Sequence, residues 1–183
     1  MSTKKILTVP NLLTLLRIIA VPFIVWQIVT GHPITGLIIL ACASATDVFD
    51  GYIARRFDQV SELGKILDPF ADKLMHVSTL ISLAIIGYVH YAFPIIFAVK
   101  ELSMVICGLF LAGAKNATIM ANWKGKVASA VITVGLFVAF FVGAYAPLYW
   151  VSTAILALGV IIALIALADY FTQFLTIIKK RKE

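Results

Sequence analysis

Six of the nine acidic residues of this chain fall between positions 47 and 72, in the stretch DVFDGYIARRFDQVSELGKILDPFAD. Four of them come as two spaced pairs. Asp47 and Asp50 are three apart, and Asp68 and Asp72 are four apart. Either spacing puts both members of a pair on one face of a helix. Asp47 and Asp50 follow the apolar run GLIILACASAT, whereas Asp58, Glu62 and Lys65 read as a solvated connection. One carboxylate in a membrane-spanning helix costs about 2.5–3.5 kcal/mol, and four that converge also repel one another. Two remedies exist: protonation, or cations placed among the acids. Hard divalent ions take oxygen ligands and pair readily with phosphates, so four Asp side chains suit two Mg²⁺ ions, or Mn²⁺. Zinc is disfavoured, because no Cys or His accompanies the set.

The neighbouring residues fit a phosphate-bearing ligand. Gly51 and Gly64 remove side chains beside the acids and let a diphosphate or nucleotide approach the backbone, although glycines at such places also serve helix packing. Arg55 stands one turn beyond Gly51 and offers a planar cationic fork suited to a diphosphate. A cation transporter is the competing reading, since intramembrane acids also line ion paths. A transporter spreads its acids along a path through several spans, whereas these gather at one edge.

The elements that must carry these residues are membrane helices. The chain is 62% hydrophobic and only 13% charged, against about 25% charged in soluble domains. Apolar runs of spanning length predict six transmembrane helices, at about 10–30, 34–55, 69–89, 92–113, 127–146 and 148–177. With short connections and no linker, residues 1–183 read as one all-α integral membrane domain, a six-helix bundle. Lys and Arg gather at the N-terminus, between spans two and three, between four and five, and at the C-terminal Lys179, Lys180, Arg181 and Lys182. The alternate loops near Gly31, Tyr88 and Ala146 carry neither. Both termini and the acidic segment are therefore expected on the cytoplasmic side of the cell membrane. The net charge of +6 suits an anionic bilayer surface; nucleic acid is not an expected partner. Cys42 and Cys107 fall in apolar spans and read as small packing residues.

Asp47, Asp50, Gly51, Ala54, Arg55, Gly64, Asp68 and Asp72 spell D-x₂-D-G-x₂-A-R-x₈-G-x₃-D-x₃-D. This resembles the signature of the CDP-alcohol phosphotransferase family at every defined position. Upstream, Pro10-Asn11, Leu13-Thr14 and Arg17 look like the P-N-x-L-T-x-x-R opening of its phosphatidylglycerophosphate synthase and CMP-forming cardiolipin synthase branches. The resemblance implies displacement of CMP from CDP-diacylglycerol by an alcohol. It implies two divalent cations held by Asp47, Asp50, Asp68 and Asp72, with Asp72 also the general base. It implies CDP-lipid contacts from Gly51, Ala54, Arg55, Gly64, Asn11 and Arg17. It also implies a homodimer.

The acceptor alcohol is the open point. Glycerol 3-phosphate needs cations for its phosphate, and Lys100, Lys115, Lys124 and Lys126 are the candidates. WKGKVAS at 123–129 resembles the G-K-x-K-T segment of phosphatidylglycerophosphate synthases, but Ala128 replaces its second Lys. KEL at 100–102 resembles their R-E-L, with Lys100 for Arg, and Phe110 stands where another Arg is usual. Glycerol 3-phosphate is the expected acceptor, and phosphatidylglycerol, giving cardiolipin, is the alternative. Two further pairings are weighed: Lys100 with Glu101, and Asp169 with a Lys at the cytoplasmic end.

Overall fold

The computed structural model describes residues 9–56, 62–112 and 123–182, with side chains described at 11–45, 67–107 and 123–178. These residues form six helices: α1 Val9–Val29, α2 Pro33–Arg56, α3 Glu62–Ile85, α4 Ala92–Ala112, α5 Trp123–Ala139 and α6 Leu148–Lys182. No strand occurs among the described residues. Two of the helices, over Asn11–Val29 and Leu148–Ile178, are long and apolar enough to cross a membrane. The chain forms two compact units, Met1–Gly87 and Tyr88–Glu183.

In the first unit α1 packs on both α2 and α3. The turn between α1 and α2 is encoded locally. Gly31 adopts φ +88°, a left-handed conformation that costs glycine little. Its N–H bonds the Ile28 carbonyl at 3.1 Å, and the His32 N–H bonds the Gln27 carbonyl at 2.9 Å. That double closure caps the C-terminus of α1, and Pro33 then opens α2, where its missing N–H costs nothing.

The face that α1 buries is Asn11, Thr14, Arg17, Val21, Ile24 and Ile28. Steps of three and four residues keep these on one stripe. Its second half is apolar and its first half polar. The opposite face exposes Leu12, Leu15, Leu16, Ile19, Phe23 and Trp26. A helix with polar residues inside and large apolar ones outside fits hydrocarbon surroundings better than water.

In the second unit α6 packs on α5 and α4. The α5–α6 contact is built on small residues, which let helices approach closely. A side chain at Gly159 would meet Ile132 Cγ1 at 2.7 Å and the Ile132 backbone nitrogen at 3.1 Å. The Tyr88 hydroxyl packs where a side chain at Gly143 would stand.

Three helices differ in their ends from the apolar-run expectation. Helix α3 begins at Glu62 rather than near Pro69. Hydropathy excludes Glu62, Lys65 and Asp68, but a helix needs only its backbone bonds and good formers such as Glu, Leu and Lys. Helix α5 runs Trp123–Ala139 rather than 127–146. The run after Ala139 stays apolar yet folds into turns, with Phe141, Val142 and Ala144 N–H groups bonding carbonyls three residues back. Helix α6 continues through Lys182, beyond the apolar stretch.

Candidate functional site

Two helices of the first unit meet at the acidic segment. On α3, Asp68 and Asp72 are half-buried and one turn apart. On α1, Thr14 and Arg17 are buried and likewise about one turn apart. The Thr14 hydroxyl donates to Asp68 Oδ1. Arg17 Nη1 donates to Asp72 Oδ1 at 2.7 Å. The Arg17 side chain is 0% exposed and that of Asp72 43%. The numbering rises together, 14 to 68 and 17 to 72, so α1 and α3 run parallel, as an up-and-down order through α2 requires.

A buried guanidinium without an anion is strongly unfavourable. Asp72 therefore supports Arg17, while Arg17 offsets part of the repulsion between Asp72 and Asp68, one turn away. His76, one turn along α3, places Nδ1 2.9 Å from the Asp72 carbonyl. A carbonyl can only accept, so Nδ1 carries the proton in that contact. It ties the next turn to the backbone of Asp72.

Carboxylate oxygens one turn apart, partly open to their surroundings, are hard donors of the kind Mg²⁺ or Mn²⁺ takes. Among the described residues no three His, Cys, Asp or Glu side chains converge. The other expected ligands, Asp47 and Asp50, lie on helix α2, as do Gly51, Ala54 and Arg55. Gly64 lies near the start of α3. The side chains from 46 to 66 are outside the described set, so the expected facing of the two Asp pairs falls outside it too. Among the described residues, the principal partner of α3 is α1.

The expected acceptor lysines have different surroundings. Lys100 is buried on α4, with Nζ 2.5 Å from Glu101 Oε1 and 5.4 Å from the centre of the Phe97 ring. Lys124, at the start of α5, donates to Asp169 Oδ2 of α6 at 2.6 Å. Both pairings weighed from the sequence are thus present. Lys126 is exposed. Lys115 lies outside the described residues. Asn11 is buried on the polar half of the α1 stripe.

Thr14 was not among the expected site residues. Its signal lies in the opening motif, where Thr14 and Arg17 share a helix face at the spacing needed to meet Asp68 and Asp72.

Comparison with known proteins adds a chain-wide context. The family model described as CDP-alcohol phosphatidyltransferase matches residues 7–172. A Mycobacterium tuberculosis protein named probable phosphatidylglycerophosphate synthase is 31% identical over 179 residues, covering 93% of this chain and 83% of that relative. An Escherichia coli K12 protein named CDP-diacylglycerol–glycerol-3-phosphate 3-phosphatidyltransferase is 29% identical over 170 residues, 87% of this chain and 88% of the relative. A Streptomyces coelicolor protein named cardiolipin synthase (CMP-forming) is 41% identical over 87 residues, 44% of this chain and 40% of the relative.

Proposed function

Since the chain belongs to the CDP-alcohol phosphatidyltransferase family, we propose that it transfers the phosphatidyl group of CDP-diacylglycerol to glycerol 3-phosphate, releasing CMP. One observation carries the choice of acceptor. The relatives aligned along 93% and 87% of this chain bear names of the glycerol 3-phosphate type, whereas the cardiolipin synthase match covers 44%. Phosphatidylglycerol remains the second reading. It is favoured by the high local identity of that shorter match and by the engagement of Lys100 and Lys124 with Glu101 and Asp169. Relatives named as transferases favour either reading over a cation transporter.

The family generally uses divalent metal ions. Here Asp47, Asp50, Asp68 and Asp72 would hold two, Mg²⁺ by preference. When bound, the ions neutralise the diphosphate and the charge that develops on departing CMP. Gly51, Ala54, Arg55, Gly64 and Asn11 receive the nucleotide end of the lipid. Asp72 takes the proton of the acceptor hydroxyl as its oxygen attacks the lipid-side phosphorus. The bond from that phosphorus to the bridging oxygen breaks, and CMP leaves with the electron pair. The phosphate of the acceptor needs cations, and Lys100, Lys115, Lys124 and Lys126 are the candidates.

All six helices cross the cell membrane, with both termini and the acidic segment on the cytoplasmic side. The reacting atoms then meet at the edge of the bilayer while the acyl chains stay in it. The parallel run of α1 and α3 supports this alternation, as does the distribution of Lys and Arg. The chain acts as a single domain in a homodimer.

Purified protein supplied with CDP-diacylglycerol, Mg²⁺, and either glycerol 3-phosphate or phosphatidylglycerol tests the reading. Phosphatidylglycerophosphate and CMP are the expected products. Cardiolipin from phosphatidylglycerol, with glycerol 3-phosphate untouched, replaces the acceptor and leaves the CMP-releasing chemistry standing.

A further inference from the structure

The stripe that α1 buries changes character at Arg17. Val21, Ile24 and Ile28 anchor it by apolar packing, and Arg17, Thr14 and Asn11 continue it as polar groups where α3 carries its acids. We propose that Thr14 and Arg17 are positioning residues of the divalent-cation site, presetting the carboxylates of Asp68 and Asp72 before a cation arrives. The proposal rests on the reading of the four aspartates as cation ligands.

Four observations carry it. Thr14 is 1% exposed and Arg17 2%, so both contacts are made by side chains held in the interior. Each acid accepts from a different α1 side chain, Asp68 from Thr14 and Asp72 from Arg17, in the same order along the two helices. The acids themselves stay partly open while α1 holds them, which leaves carboxylate surface for a cation. The fourth concerns Arg17 itself. Its side chain is wholly buried and donates to Asp72, which itself stays partly open.

The physical gain is preorganisation. An Asp side chain has several staggered rotamers, and a cation that must select one loses affinity to that ordering. Donors that fix the rotamer in advance remove the loss. Groups that orient metal ligands in this way typically change affinity about 10–100-fold when removed. Thr14 orients Asp68 through a single hydroxyl. Arg17 orients Asp72 through Nη1 of a rigid, planar guanidinium, whose geometry a lysine ammonium does not reproduce.

The test is Mn²⁺ binding to the full chain in detergent, followed by the electron paramagnetic resonance signal of free Mn²⁺, with the metal-free melting temperature as the measure of folding. Thr14→Val should weaken binding about tenfold, and Thr14→Ser should restore it, both with metal-free melting close to wild type. Arg17→Lys, which keeps the charge, should weaken binding about 10–100-fold. Asp50→Asn serves as the reference for the cation site and should abolish tight binding. The proposal is overturned if Thr14→Val and Arg17→Lys bind Mn²⁺ like the wild type while Asp50→Asn does not, or if Thr14→Ser is as weak as Thr14→Val. If Asp50→Asn also binds normally, the cation reading has itself failed and this proposal goes with it.

Discussion

Replacing Lys126 and Lys100 by alanine, one at a time, should separate binding of the acceptor from stability of the fold. Lys126 is exposed near the start of α5, so its loss should change stability by no more than about 0.5 kcal/mol. If it meets the acceptor phosphate, removing one charge-assisted contact costs about 1.5–3 kcal/mol, or roughly 10- to 150-fold in affinity. The KM for glycerol 3-phosphate should rise by that order, and the KM for CDP-diacylglycerol should stay within about twofold. Lys100 differs because it is buried against Glu101 at 2.5 Å, with side chains only 7% and 10% exposed. Breaking such a pair leaves charge in the interior and costs up to about 3–5 kcal/mol. Lys100→Ala should therefore lower the melting temperature, whatever it does to catalysis. Steady-state kinetics in mixed micelles, with melting followed by intrinsic fluorescence, reads both effects. Equal changes in the two KM values for Lys126→Ala, or an unshifted melting temperature for Lys100→Ala, would refute the reasoning.

Asp50→Asn should abolish CMP release at any Mg²⁺ concentration, as measured by release of labelled CMP; wild-type turnover would remove Asp50 from the cation site. Asp72→Asn should depress kcat far more than binding of CDP-diacylglycerol, by about 10²–10⁴-fold if it removes the general base. If lipid affinity collapses while kcat holds, the base lies elsewhere. Gly159→Ala should lower the melting temperature. Its new Cβ meets the backbone nitrogen of Ile132 at 3.1 Å as well as Cγ1 at 2.7 Å, and overpacking of this kind costs about 1–3 kcal/mol. Gly125→Ala, in the first turn of α5, meets no neighbour within 4 Å and should not lower stability; a loss there as large as that at Gly159→Ala would contradict the α5–α6 packing.

The helices and the acidic motif were legible in the sequence because both are local. A run of apolar residues declares a helix wherever it lies, and Asp68 and Asp72 share a face because they are four apart. The family signature is likewise a matter of spacing, which is why it pointed to the same chemistry as the chain-wide match over residues 7–172. Helix ends were less legible: nothing in hydropathy marks where the apolar run after Ala139 turns, or that α3 already begins at Glu62. The partners of the charged groups needed the tertiary structure. Thr14 and Arg17 are 54 and 55 residues from the acids they hold, and which lysine meets Asp169, Lys124 at a separation of 45 residues, was likewise not readable. No periodicity reports contacts across such separations. The sequence offered protonation or bound cations as ways to keep Asp68 and Asp72 together. That a buried arginine from the first helix also stands behind them depends on α1 lying against α3 in a parallel register, and that is set by packing.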